Sequence, residues 1–167
     1  MVAAEIYWIP EAVGGRLGVM ARPRSDDWLS DEVASWRAAG VGLVVSLLEP
    51  SEVRELRLSE EEPLCRDNGI DFVSFPVADR GVPSSVRAAE KLVMRIESDL
   101  RSGAAIAIHC RAGIGRSALL AACILKYQGL PEREIFSSIS RARGVACPDT
   151  EAQIRWVKDF PIRRADV

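Results

Sequence analysis

Histidine is almost missing from this sequence: His109 is the only one among 167 residues. A two-metal hydrolytic centre built on imidazole is thereby excluded, and one built on carboxylates would need an acidic cluster that the pattern lacks, so no metal or cofactor is expected. Lysine is scarce as well, with three against nineteen arginines. Those arginines are scattered from Arg16 to Arg164 and form no basic stripe, and the net charge is −2. Nucleic acid is therefore not expected as a partner. Long apolar runs are absent too. The longest, residues 118–125, falls far below the ~20 residues that cross a bilayer, so no membrane partner is expected. The opening ten residues lack the basic start, apolar core and small-residue cleavage site of a secretory signal, which leads to the expectation of a cytoplasmic protein. There is no repeat, low-complexity tract or interdomain linker. With 48% hydrophobic residues, residues 1–167 read as a single domain with a substantial core. Cys65, Cys110, Cys123 and Cys147 are expected as free thiols in a reducing compartment. The residues specify no oligomeric state.

What is present reads as an α/β order. Residues 5–9 and 15–21 have the look of opening strands, and Ser25-Asp26-Asp27 starts a helix that runs through Trp36 and stops near Gly40. Residues 41–48 form a buried strand. Residues 51–68 are polar and acidic, with helical pieces broken by Pro63, and Glu60-Glu61-Glu62 reads as a solvated face. Residues 70–75 alternate as a strand should. Ala89, Val93, Ile96 and Leu100 recur at helical spacing, and residues 131–143 make another helix, bounded by Pro131 and Gly144.

The chemistry concentrates in Ile108-His109-Cys110-Arg111-Ala112-Gly113-Ile114-Gly115-Arg116-Ser117. Residues 103–108 read as a buried strand and residues 117–127 as an apolar helix, so the segment is a strand-to-helix turn. In such a turn successive backbone N–H groups converge on a nest for an anion, and the helix N-terminus adds to their field. A thiol placed there beside Arg has its pKa lowered from ~8.5 to roughly 3.5–7.5. Cys110 is then a thiolate nucleophile. Arg116 can donate two parallel N–H bonds to phosphoryl oxygens, and Ser117 can donate its hydroxyl to the sulfur. Gly113 and Gly115 permit positive φ and close backbone approach. Residues 111–116 are the expected phosphate-binding loop.

This segment resembles the His-Cys-x-x-Gly-x-x-Arg-Ser/Thr signature of the protein tyrosine phosphatase superfamily at every fixed position. The resemblance implies a mixed central sheet flanked by helices, a cysteinyl-phosphate intermediate, and a supporting, pKa-tuning role for His109. It also implies a general acid on a separate loop. Pro76-Val77-Ala78-Asp79-Arg80-Gly81-Val82-Pro83 resembles the acid loop of small dual-specificity phosphatases, in particular the type associated with cyclin-dependent kinases, and differs from the Trp-Pro-Asp loop of tyrosine-specific members. Asp79 is the expected acid, against the plainer possibility of an Asx turn before Gly81.

Asp149-Thr150-Glu151-Ala152-Gln153 partly resembles the Gln-Thr-x-x-Gln element that places the hydrolytic water in tyrosine-specific members. Asp149 stands where the first Gln would be. Thr150 and Gln153 also have capping-box spacing ahead of Ile154, Val157 and Phe160, and capping is the favoured role for Gln153. The expected partner is a phosphorylated protein or peptide: phosphotyrosine first, with phosphoserine and phosphothreonine admitted if the pocket is shallow. A phosphoinositide phosphatase is the alternative, since Arg111 matches the basic loop position of such enzymes although Ile114 does not. A rhodanese-like sulfurtransferase, for which Asp79 has no use, and a silent phosphate-binding module stand behind it. Cys65 and Cys147 are candidates for a protective disulfide with Cys110.

Overall fold

In the computed structural model, which describes residues 5–162, the elements run β1 (Tyr7–Trp8), β2 (Arg16–Met20), α1 (Asp27–Ala38), β3 (Val41–Ser46), α2 (Pro50–Glu55), α3 (Glu61–Asp67), β4 (Asp71–Ser74), α4 (Val86–Arg101), β5 (Ala105–His109), α5 (Arg116–Tyr127), α6 (Glu132–Arg143) and α7 (Glu151–Asp159). The strands form one mixed sheet in the order β1-β2-β5-β3-β4. Only β1 is antiparallel to its neighbour; β2, β5, β3 and β4 are mutually parallel.

Strand β5 lies at the centre and all five of its residues are buried. Helices cover both faces of the sheet, and a strand buried on both faces carries a continuous apolar run instead of an alternation. Ile106 and Ile108 enter one core layer with α4 and α5, while Ala107 enters the other with α1 and α3. The register sets Val19, Ile108, Val45 and Val73 in a single row across four strands. Helix α5 packs against α4, α6 and α7 as well as the sheet. Every residue from Arg116 to Leu125 is buried, as befits a helix apolar all round.

The parallel strands end together. Beyond the strand ends, Leu47 N–H donates to His109 O at 2.9 Å, Phe75 N–H to Ser46 O at 2.8 Å and Val77 N–H to Leu47 O at 3.0 Å. These bonds carry the loops after β5, β3 and β4 side by side off one edge, where open parallel sheets bind ligands.

Two expectations are corrected. The opening strand over residues 5–9 shrinks to Tyr7–Trp8, the two residues in register with β2, with one further bond from Ile9 N–H to Leu17 O at 2.8 Å before Pro10. Pro63 does not break the acidic segment. It sits in the first turn of α3, where its missing N–H has no intrahelical partner to lose, and the break falls earlier, around Arg57 with its φ of 55°. Asp26 precedes α1 but makes no capping bond; its carboxylate meets Arg57 at 3.2 Å instead. Among the described residues, no helix is long and apolar enough to cross a membrane.

Ile106 is fully buried in the central strand, so Ile106→Ala is expected to cost about 2–5 kcal/mol of stability. Urea unfolding should show a lower midpoint with an unchanged slope. A loss below about 1 kcal/mol would mean that the sheet does not depend on this packing.

Candidate active site

Cys110 is the first residue after β5 and is 3% exposed. The backbone leaves the strand through Gly113, whose φ is 73°, and a Cβ there would meet the Met20 carbonyl carbon and oxygen at 2.6 Å. Only glycine fits this approach to β2. A Cβ at Gly115 would lie 3.1 Å from both Asp149 Cβ and Gln153 Nε2, so its absence lets the N-terminal end of α7 pack onto the loop. Outside the loop, Arg143 at the end of α6 donates from Nε to Gly113 O at 3.1 Å and from Nη2 to Ala112 O at 3.1 Å. Its guanidinium rests 4.2 Å from the Tyr7 ring centroid. Arg143 thus engages two loop carbonyls directly.

Cys110 Sγ lies 3.3 Å from Ser117 Oγ. Burial pushes the thiol up, but the Ser117 hydroxyl and N–H, the Gly113 N–H and the Arg116 charge outweigh it and bring Cys110 below its ordinary value. The hydroxyl donates to the thiolate. The other thiols are different: burial pushes Cys65 up to about 12 and Cys147 up to about 11, and raises Cys123 further. All four cysteines are free. Cys65 lies in the core layer on the other face of the sheet, which removes it as a disulfide partner, whereas Cys147 shares the layer of Cys110.

Arg116, in the first turn of α5, is 2% exposed. Nη1 donates to Glu52 Oε1 at 2.6 Å and Val77 O at 2.9 Å, and Nη2 donates to Glu52 Oε2 at 3.0 Å and Asp79 Oδ1 at 3.2 Å. One planar guanidinium therefore joins α5, α2 and the loop after β4. Nε and the Nη2 proton now given to Asp79 form the fork that can face a phosphoryl group. Burial pushes Glu52 up, but its bonds from Arg116 and the Glu49 N–H prevail and hold it below the usual carboxylate range. Sequence reasoning missed both Glu52 and Arg143. A buried Arg demands a carboxylate, but nothing in a segment of several acids says which one turns inward.

His109 is fully buried. Its Nδ1 lies 3.2 Å from Cys110 O and its Nε2 lies 2.5 Å from Glu61 Oε1. The Cys110 carbonyl can only accept, so Nδ1 carries a proton, and the carboxylate facing Nε2 favours a second proton there. Burial opposes the charge, but Glu61 and the Cys110 carbonyl outweigh it and raise His109 above its ordinary 6.5. Glu61, expected on a solvated face, is 2% exposed: the first turn of α3 points it inward at the residue before Cys110.

The loop carrying Asp79 turns at Arg80, which has φ 59°, and closes with Gly81 N–H to Ala78 O at 2.7 Å. Two contacts from the α7 side hold it: Gln153 Nε2 donates to Gly81 O at 3.1 Å, and Arg80 Nη1 meets Asp149 Oδ2 at 3.0 Å. Gln153 and Thr150 do form a reciprocal capping box. Asp79, Cys110, Arg111, Ala112, Ile114, Gly115 and Arg116 together line a cleft of about 230 Å³, which brings the two loops singled out in the sequence to one opening.

The phosphatase model described as "Polymorphic toxin system, DSP-PTPase phosphatase" matches residues 18–130. Human cyclin-dependent kinase inhibitor 3 is 28% identical over 127 residues, which cover 74% of this chain and 59% of that protein. Protein tyrosine phosphatase domain-containing protein 1 of Danio rerio is 25% identical over 92% of this chain and 22% of its own length. The chain thus spans about 59% of the length of the cyclin-dependent kinase inhibitor 3 relatives it matches. Among solved structures, kinase-associated phosphatase with its catalytic cysteine replaced by serine superposes with TM-score 0.87 at 21% identity, over 96% of this chain and 95% of that one. Tk-PTP in its active form gives 0.76 at 25% identity, over 92% and 95%.

Two outcomes are expected from the geometry. Alkylation of Cys110 by iodoacetamide should titrate below the ordinary 9.0, and Ser117→Ala should move its midpoint up; an unmoved midpoint would remove the hydroxyl from the thiolate's support. His109 has a raised folded value, so the stability it contributes is complete below 6.5 and is lost as pH rises through that raised value. Glu61→Gln is therefore expected to cost about 3–5 kcal/mol in mildly acidic buffer and much less in alkaline buffer. Equal costs at both pH values in denaturant melts would contradict the imidazolium.

Proposed function

The chain belongs to the family described as polymorphic toxin system, DSP-PTPase phosphatase, and on that premise we propose that it is a metal-independent protein phosphatase acting on phosphotyrosine, with phosphoserine and phosphothreonine as further substrates. The observation that carries this reading is the placement of a lowered thiol, a buried guanidinium and the Asp79 carboxylate around one cleft. A thiolate without an acid suits sulfur transfer; a thiolate with an acid above it suits ester cleavage with a poor leaving group.

Cys110 Sγ attacks phosphorus in line, the P–O bond breaks, and Asp79 gives its proton to the departing phenolic or alkoxide oxygen. The phosphate loop N–H groups and the Arg116 fork hold the three equatorial oxygens. A phosphoryl oxygen accepts the Nη2 hydrogen bond now made to Asp79, which frees that carboxyl to face the leaving group. In the second half, Asp79 removes a proton from water as it attacks the cysteinyl phosphate. Ser117 stabilises the thiolate that leaves. Glu52 fixes the guanidinium through two bonds, and the Gln153 bond to Gly81 O positions the acid loop. Arg111 supports the peptide reading over a phosphoinositide one: its guanidinium is turned to Glu55 at 3.3 Å and Glu52 at 3.9 Å. A reducing compartment suits a chain whose nucleophile is a thiolate.

Phosphate release from matched phosphotyrosine and phosphoserine peptides, in EDTA, tests the proposal. Wild type should release phosphate and Cys110→Ser should not, and turnover surviving in that variant would end the nucleophile assignment. Asp79→Asn should slow aryl phosphates with poor leaving groups by about 10²–10⁴-fold and good ones far less. Equal slowing would point to another acid. Arg116→Lys should raise the barrier by about 3 kcal/mol or more.

A further inference from the structure

Two arginines stand on the rim of the cleft, and each is already matched to a carboxylate of the same chain. Arg80 Nη1 lies 3.0 Å from Asp149 Oδ2, and Arg111 Nη2 lies 3.3 Å from Glu55 Oε1. At the floor, Arg116 is matched to Glu52. The donors that remain are the loop N–H groups, the first turn of α5 and the Arg116 fork, which together suit one phosphoryl group.

Asp149 is the rim carboxylate fixed most firmly. Its N–H donates to Gln153 Oε1 at 3.0 Å. Its Cβ packs closely on the loop, 3.1 Å from where a Cβ at position 115 would stand. Asp149 therefore lines the cleft together with Asp79 and the loop, with its carboxylate held to Arg80. A second phosphate, sulfate or carboxylate on a substrate, next to the reacting phosphate, would meet this fixed negative charge and find Arg80 occupied. Like charges held that close cost affinity, and specificity built this way works by rejecting the wrong substrate.

We propose that Asp149 is a specificity-determining residue that restricts the cleft to isolated phosphomonoesters and rejects substrates with a second anionic group beside the phosphate, by its own charge and by holding Arg80. The proposal rests on the phosphatase reading. The Arg80–Asp149 pair is well exposed, 65% and 40% for the two side chains, and a pair of that kind contributes little to stability. Asp149→Asn should therefore fold, and a change in substrate ratio reports on selection and not on the amount of folded enzyme.

The test compares kcat/KM for two phosphotyrosine peptides of equal length, one flanked by alanines and one by aspartates. Wild type is expected to favour the neutral peptide, and Asp149→Asn to shift the ratio toward the acidic one by about fivefold. Adding Arg80→Ala in the Asp149→Asn background should reverse that shift, because the freed guanidinium is what accepts the extra charge. An unchanged ratio in Asp149→Asn, or a wild type that favours the acidic peptide, overturns the proposal. Loss of Cys110-dependent turnover on both peptides would instead end the phosphatase reading. Calorimetric binding of orthophosphate and pyrophosphate then still tests Asp149: its replacement by Asn should gain pyrophosphate affinity relative to orthophosphate, and an unchanged ratio overturns the role in binding as well.

Discussion

The constraint on which the rest of the structure depends is the burial of the Arg116 guanidinium. Arg cannot shed its proton in a protein, so a side chain 2% exposed must find its counter-charge inside. Glu52 supplies it through two bonds, and the remaining terminal donors reach Val77 O and Asp79. Glu52 comes from the segment after β3, and Val77 and Asp79 come from the loop after β4. The arrangement of α2 and of the Asp79 loop is thus tied to one charge on α5. That same charge helps bring the Cys110 thiol below its ordinary value.

A second buried pair stands behind Cys110. His109, paired with Glu61, sits next to it on the backbone, and that partner raises its pKa. With the Ser117 hydroxyl and the loop N–H groups in front, the sulfur is surrounded by donors and positive charge from several directions. These groups are held by packing before any substrate arrives, so little reorganisation is left for the reaction itself. Arg143 completes the frame from outside: it engages the Ala112 and Gly113 carbonyls while the Gly113 N–H supports the thiolate.

Much of this was legible in the residues, for physical reasons. The phosphate loop is contiguous, so its chemistry shows in ten consecutive letters, and the acid loop is bounded by breakers next to an alternating strand. The capping box of Thr150 and Gln153 is likewise local. Glu52, Glu61 and Arg143 were not legible, because each acts across a gap of 30 or more positions on its partner. Glu61 misled outright: three consecutive acids read as a solvated face, yet a helix turns each residue by 100°, and α3 directs the middle one into the core. Pro63 misled in the same region, since a proline in a first turn looks in sequence like a proline that ends a helix.

What the sequence by itself determined is the strand-loop-helix that builds an anion nest around a thiol, because those interactions are short-range and depend on residue type and spacing. The α/β order, the buried central strand and the separate acid loop follow from apolar periodicity and breakers in the same way. Only the tertiary structure decided which carboxylates answer the buried charges, that Gln153 reaches the Asp79 loop while it caps α7, and that Asp149 and Arg80 meet at the cleft. Such pairings depend on distances between distant segments, and those are set by sheet order and helix packing. The letters of any one segment do not contain them.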